Sequence, residues 1–259
     1  MIKPVSEYIQ IAERMADAAR PIVRRYFRAP MSIASKADSS PVTRADREVE
    51  AALRDILRQT CPDHAVIGEE MGGATDSNGP LWILDPIDGT SAFAAGVTMF
   101  GVLIALAIDG KFVLGIIDQP INDERWRAAA GSATLFNGSP ARVSGCARLG
   151  DARLYTTAPE YFGDAIGAFN RVRDRARFTR YGAECYAVGL LASGHVDLIV
   201  EAGLKLWDFA ALVPVVENAG GIITDWRGAA LTTASDGKFV AASSAALHEA
   251  TLELLTKPR

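Results

Sequence analysis

Two apolar runs, residues 100–108 and 111–118, are separated by Asp109-Gly110 alone. No other feature of the chain restricts its fold so tightly. An Asp-Gly connection of two residues between strand-like runs selects a turn with positive φ at its centre, and so predicts an antiparallel hairpin. A third run at 125–129 extends it into a meander, and shorter strand-like runs at 65–68 and 81–85 precede it. Upstream, Ile9, Ala12, Met15, Ala16, Ala19, Ile22, Val23 and Phe27 recur at spacings near 3.6. They predict an amphipathic helix over 5–27, which Pro21 is expected to bend or divide. A polar loop at 36–41 leads to a second helix over 43–59, with Val49, Leu53, Ile56 and Leu57 on one face.

The second half repeats neither the pattern nor the sequence of the first. It reads as a strand at 154–157, a helix to about 171, a strand near 178 and a helix at 183–192. A strand at 196–200 and a helix at 207–218 closed by Gly220-Gly221 follow. Strands at 222–224 and 239–241 and a helix to about 255 complete the chain. No Ser/Gly/Pro linker separates independent units, and 259 residues, 49% of them hydrophobic, suffice for a sizeable core. The expectation is one α/β unit over 1–259 in two packed halves, about 1–145 and 146–259. Its sheets and helices are layered rather than built as a simple βαβ repeat.

Several classes are disfavoured at once. A net charge of −4 offers no basic footprint for nucleic acid. The longest apolar run, 99–108, is about half what a membrane-spanning helix needs. Glu7, Glu13 and Arg14 interrupt any signal-peptide centre. Cys61, Cys146 and Cys185 are sparse, odd in number and form no CxxC, which suits reduced thiols in a cytoplasm. No zinc-ligand spacing, GxGxxG, GxxxxGK[ST] or GxSxG occurs.

Chemistry concentrates in Trp82-Ile-Leu-Asp85-Pro-Ile-Asp88-Gly-Thr90. An apolar strand delivers Asp85 at its carboxyl end, Pro86 holds Asp85 extended, and Asp88 follows on the turn. Gly89 and Thr90 then present backbone N–H groups that suit an anion. Two carboxylates beside free amides fit a hard divalent cation, above all Mg²⁺, that shares a phosphate. Taken alone, the same aspartates serve equally well as a helix cap and a turn closure. Glu69 and Glu70 repeat the strand-then-acid arrangement. Asp208 starts a helix where an N-cap is the plainer reading, and Asp46 near the second helix start is otherwise a solvated acid.

The order of these segments resembles the inositol monophosphatase family over nearly the whole chain. Thr43-Arg-Ala-Asp46, Ile67-Gly-Glu-Glu70, the Trp82–Thr90 segment, Leu206-Trp-Asp208-Phe-Ala and Glu217-Asn-Ala-Gly-Gly221 carry the resemblance. It implies an αβαβα sandwich of alternating helix and sheet layers, and a magnesium-dependent phosphomonoesterase. By that resemblance Glu69, Asp85 and the Ile87 carbonyl hold one ion, and Asp85, Asp88 and Asp208 a second. Glu70 helps order a weaker third, so two to three Mg²⁺ are implied per site. Asp46 and Thr90 orient and deprotonate the attacking water, and the Gly89 and Thr90 amides meet the phosphate. A homodimer is also implied.

Residues 100–106, 114–121, Glu124-Arg-Trp126, Arg180-Tyr-Gly-Ala-Glu-Cys-Tyr186 and Glu201-Ala-Gly-Leu-Lys205 look like the histidinol-phosphatase branch. That resemblance implies L-histidinol phosphate as substrate and a place in histidine biosynthesis. Glu184 and Glu201 would then complement the cationic amine. Glu184 as a first-turn helix acid is the alternative. The branch commonly has a basic residue where this chain has Ser91, Asp at Glu184, a Pro-Tyr pair at Leu206-Trp207 and Thr at Val102. Inositol 1-phosphate or a broad range of small phosphate esters is therefore the other substrate reading. Every acid implied for the metal site is present, which opposes a non-catalytic metabolite-binding protein. The run 171–177, rich in arginine, is expected to be a solvated edge.

Overall fold

A computed structural model describes residues 3–29, 34–35, 41–42, 44–73 and 79–257. Helix α1 (Val5–Tyr26) is followed by the two-residue strands β1 (Ala34–Ser35) and β2 (Pro41–Val42), then helix α2 (Arg44–Thr60). Pro21 neither divides nor ends α1. Most of the expected polar loop at 36–41, and Thr43 at the expected start of the second helix, lie outside the described residues.

Next come β3 (Ala65–Gly68), β4 (Pro80–Asp88), the short helix α3 (Thr90–Ala94), β5 (Gly101–Ile108), β6 (Lys111–Gln119) and β7 (Glu124–Ala129). With β8 (Leu135–Phe136) and β9 (Ser139–Pro140) they form a seven-stranded sheet in chain order, β3-β4-β5-β6-β7-β8-β9. Only β3 and β4 pair in parallel; the rest is the expected meander. Asp109 and Gly110 both take positive φ, 50° and 76°, as a twist-matched two-residue hairpin requires.

The second sheet collects β10 (Arg153–Thr156), β11 (Phe178–Tyr181), β12 (Leu198–Glu201), β13 (Ile222–Thr224) and β14 (Phe239–Ala242), ordered β11-β10-β12-β14-β13. It is mixed, with β10 parallel to both neighbours and β14 antiparallel to both of its own. The remaining helices are α4 (Ile166–Arg173), α5 (Glu184–Ala192), α6 (Leu206–Phe209), α7 (Leu212–Asn218) and α8 (Ala245–Thr256).

Three apolar clusters explain the layers. Met15, Ala19 and Val23 of α1 and Val49 and Leu53 of α2 meet Trp82, Leu84, Ile104 and Ile116 on one face of the large sheet. Ile83, Leu103, Ala105 and Ile117 on its other face share a core with α5, α7 and Ile199 and Ala241 of the second sheet. Leu198, Val200 and Val240 face α4 and α8. The order is therefore helix, sheet, helix, sheet, helix, as expected. Alternation of side chains across each strand dictates it, because β4, β5 and β6 carry apolar residues on both faces and must be covered twice. Gly115 allows the closest approach of the middle layer: a Cβ there would lie 2.0 Å from the Ala211 carbonyl oxygen.

Two expected helices are interrupted. Residues 207–218 form α6 and α7 with a turn at 210–211. Pro214 has no N–H for the carbonyl four residues back, and its ring crowds that carbonyl, so a continuous helix through Ala210 is disfavoured. The segment before 171 splits into a 3₁₀ stretch (Pro159–Ala165), kinked at Gly163 where φ is 47°, and α4. The arginine run is not merely a solvated edge. Arg171 donates through Nε to the Leu254 carbonyl at 2.8 Å and through Nη2 to that of Lys257 at 3.0 Å, closing the end of α8.

Candidate active site

The site begins with an irregularity in β4. Asp85 pairs with Leu103 and Asp88 with Gly101, so Pro86 and Ile87 together oppose the single Val102. In a regular strand, side chains three positions apart point to opposite faces. The extra residue of this bulge reverses that, and Asp85 and Asp88 can converge. Ile87 N donates to Asp85 Oδ1 at 3.1 Å, fixing the bulge to the carboxylate it positions.

Asp208 arrives from the far end of the chain, on α6. Asp208 is not the helix N-cap expected of it: Lys205 takes that position, and Asp208, three residues on, accepts from Lys205 N through Oδ2 at 2.7 Å. The three aspartates also converge. One carboxylate oxygen from each of Asp85, Asp88 and Asp208 lies within 4.8 Å of the others. Cys185 N donates to Asp88 Oδ2 at 2.7 Å. That N–H is aimed by an unusual backbone: Gly182, Ala183 and Glu184 take φ of 81°, 79° and 40° in succession. Left-handed conformation in Ala and Glu is strained, and the strain sits beside the acidic cluster.

Asp46 is buried in the first turn of α2 and accepts from Thr90 Oγ1 at 3.4 Å. Thr90 Oγ1 also lies 3.0 Å from the Ile87 carbonyl oxygen, so these three expected site residues are joined. Gly89, φ 85°, precedes α3; a Cβ there would stand 3.1 Å from the Met99 carbonyl oxygen. Glu69 N donates to the Leu84 carbonyl at 3.2 Å, which ties the Glu69-Glu70 turn to the strand that carries Asp85. The Glu70 side chain is buried and lies 3.7 Å from the Arg47 guanidinium.

Burial raises the proton affinity of Asp85, Asp88 and Asp208. Asp85 is pushed well above the usual carboxylate range by burial, then by the charges of Glu69, Asp88 and Asp208. Burial lifts Asp88 to about 7 against the hydrogen bond from Cys185, with Glu184 adding to the rise. Burial and then the Asp88 charge lift Asp208 to about 8, with the Lys205 N–H opposing. Acids forced together at this cost, offering only oxygen donors, match the preference of a hard divalent cation.

Glu184 and Glu201 line one small cavity with Asp88, Asp208, Thr157, Cys185 and Phe239. Glu201 is held by Thr157 N at 2.7 Å, Thr157 Oγ1 at 3.1 Å and Thr156 Oγ1 at 3.2 Å, and burial lifts it to about 8. Glu184 stands in the first turn of α5, as the alternative reading has it. Burial lifts it to about 7, and its Oε2 is buried without a hydrogen-bond partner. The structure thus brings Asp88 and Asp208 together with Glu184 and Glu201, acids from separate stretches of sequence. Sequence reasoning passed over Glu50, a fully buried carboxylate that accepts from Glu70 N at 2.7 Å and Met71 N at 3.2 Å. The available signal was its position one helical turn after Asp46 on the same face.

No described helix is long and apolar enough to cross a membrane. The model of the inositol monophosphatase family matches residues 5–258. Bifunctional phosphatase IMPL2, chloroplastic, of Arabidopsis thaliana is 44% identical over 261 residues, covering 97% of this chain and 75% of the relative. A histidinol-phosphatase of Chlorobaculum parvum is 38% identical over 223 residues, covering 85% of this chain and 86% of its own. The solved structure of an inositol monophosphatase from Zymomonas mobilis is 46% identical, covers 99% of this chain and 100% of its own, and superposes with a TM-score of 0.90. These likenesses run nearly the length of the chain and include the layered fold, and the chain belongs to the inositol monophosphatase family of metal-dependent phosphatases.

Proposed function

We propose that the protein is a Mg²⁺-dependent hydrolase of small phosphate monoesters whose range includes both inositol 1-phosphate and L-histidinol phosphate. The observation that carries this reading is the convergence of Asp85, Asp88 and Asp208 within 4.8 Å. Glu69, Asp85 and the Ile87 carbonyl would hold one ion, Asp85, Asp88 and Asp208 a second, and Glu70 would help order a third. Bound Mg²⁺ supplies charge for the phosphate oxygens and acidity for water. The chain's own residues do the rest. Asp46 and Thr90 orient the attacking water; its proton passes to Thr90 Oγ1 as the Thr90 proton moves to Asp46. The Gly89 and Thr90 amides receive the phosphate. No covalent nucleophile is needed, because phosphoryl transfer depends on positioning and charge.

Breadth is favoured because relatives of both substrate names cover the chain, at 44–46% identity for the bifunctional and inositol enzymes and 38% for the histidinol-phosphatase. A histidinol phosphate preference, with a place in histidine biosynthesis, is the second reading. The unpartnered Glu184 Oε2 beside Glu201 supports it, since a cationic amine would satisfy both acids. The layer of α5 and α7 common to both sheets supports a single catalytic unit over 1–259. A homodimer would draw on exposed Val97, Met99, Phe178 and Tyr181. The free thiols Cys61, Cys146 and Cys185 favour a reducing compartment, which we read as the cytoplasm.

Phosphate release from the two esters at matched concentration tests the range. We expect kcat/KM values within about tenfold of each other, a difference near 1.4 kcal/mol. A preference beyond a hundredfold for histidinol phosphate would replace the broad reading with the narrow one.

A further inference from the structure

The carboxylate of Glu50 lies inside the loop that carries Glu69 and Glu70. It accepts from Glu70 N at 2.7 Å and from Met71 N at 3.2 Å. Gly68 and Gly72 close the loop around it, each donating through N to the other's carbonyl at 3.0 Å. Arg54, one turn further along α2, completes the grip. Its Nε donates to Glu50 Oε1 at 2.8 Å, and its Nη2 donates to the Gly72 carbonyl. A helical carboxylate and guanidinium at i, i+4 therefore hold the N–H groups and a carbonyl of one five-residue loop.

The loop is shaped for this carboxylate. A Cβ at Gly68 would fall 2.2 Å from Glu50 Oε1 and 2.4 Å from its Cδ. The next turn of the same α2 face toward the N-terminus carries Asp46, which meets Thr90. One helix face thus sets two parts of the site at once: Asp46 against the Thr90 end of the bulge, and Glu50 under the Glu69-Glu70 turn.

We propose that Glu50, clamped by Arg54, is a positioning residue that presets the Glu69-Glu70 turn for divalent cation. This rests on the metal-dependent reading of the site. Both Glu50 oxygens are already taken, Oε2 by Glu70 N and Oε1 by Met71 N and Arg54 Nε, so it acts through the backbone of residues 70 and 71. Hydrogen-bonded partners behind metal ligands commonly govern affinity by about 10–100-fold. Glu50→Gln keeps size but offers an amide to one of two N–H donors, so one is left opposed. Gly68→Ala leaves Glu50 in place and displaces its carboxylate.

The test reads metal binding apart from turnover. Full-length wild type, Glu50→Gln, Gly68→Ala and Arg54→Gln are titrated with Mg²⁺ after chelation, following thermal unfolding temperature and, separately, phosphate release. The expected result is a half-saturating Mg²⁺ concentration about tenfold or more above wild type by both readouts in Glu50→Gln and Gly68→Ala. Arg54→Gln should shift it by a smaller factor. A residue that only supports the fold would lower the unfolding temperature without moving half-saturation. Wild-type half-saturation in folded Glu50→Gln would overturn the proposal. If that variant does not fold, wild-type half-saturation in Gly68→Ala and Arg54→Gln would do so. Wild type that neither binds nor requires Mg²⁺ would instead overturn the metal-dependent reading itself.

Discussion

Asp88→Asn is expected to reduce phosphate release by on the order of a thousandfold or more, a loss of about 4 kcal/mol or more of transition-state stabilisation, while leaving the protein folded. The substitution is nearly isosteric, and the asparagine oxygen can still accept the N–H that Cys185 gives Asp88 Oδ2. What disappears is one negative charge from a group of acids that repel one another. Burial and the neighbouring charge of Glu184 already lift Asp88 to about 7, so the uncharged variant relieves a cost in the cation-free protein. The unfolding temperature without Mg²⁺ should therefore equal or exceed that of wild type. The increment that Mg²⁺ adds to it should fall. Circular dichroism, thermal unfolding and a phosphate assay check all three, and a folded Asp88→Asn protein with wild-type turnover would remove Asp88 from the site.

The second large effect concerns pH. Asp88 and Asp208, at about 7 and about 8, and Asp85, well above its usual range, bind protons more tightly folded than unfolded. A raised folded value means that the stabilisation is fully present below the unfolded value, near 4. It is lost as pH rises through the folded values. Cation-free protein should thus lose stability between about pH 4 and pH 8 through these groups. Mg²⁺ reverses the trend, because it binds the deprotonated carboxylates. The rise in unfolding temperature produced by a fixed excess of Mg²⁺ should grow from pH 6 to pH 8 by several degrees. An increment that is flat or shrinks over that interval would contradict the electrostatic account of the cluster.

Local signals in the sequence were strong where short-range chemistry decides the structure. Asp109-Gly110 could satisfy only a tight hairpin turn, and its positive φ pair bears this out. The strand at 65–68 has its expected limits, since Gly68 and the acids after it end the apolar run. Pro214 was legible too, but the apolar periodicity around it masked its effect on the helix at 207–218. The strand order of the second sheet was not legible, because strands of three or four residues carry no signal for their neighbours. The acids of the site could be picked out one by one, yet their convergence depends on long-range placement. The bulge at Pro86-Ile87 turns Asp85 and Asp88 to one side, and β12 and α6 then bring Asp208 to them. Glu50 was passed over, because its burial depends on the 68–72 loop closing over it.

Under the proposed function, phosphate release depends on metal held at the Asp85–Asp88–Asp208 cluster. This dependence is tested most directly by stripping wild-type protein with a chelator and following phosphate release from inositol 1-phosphate as Mg²⁺ is added back. The account predicts no release above background in the stripped protein, and recovery that saturates with Mg²⁺. Equal release with and without added Mg²⁺, the chelator still present in the latter, would contradict it.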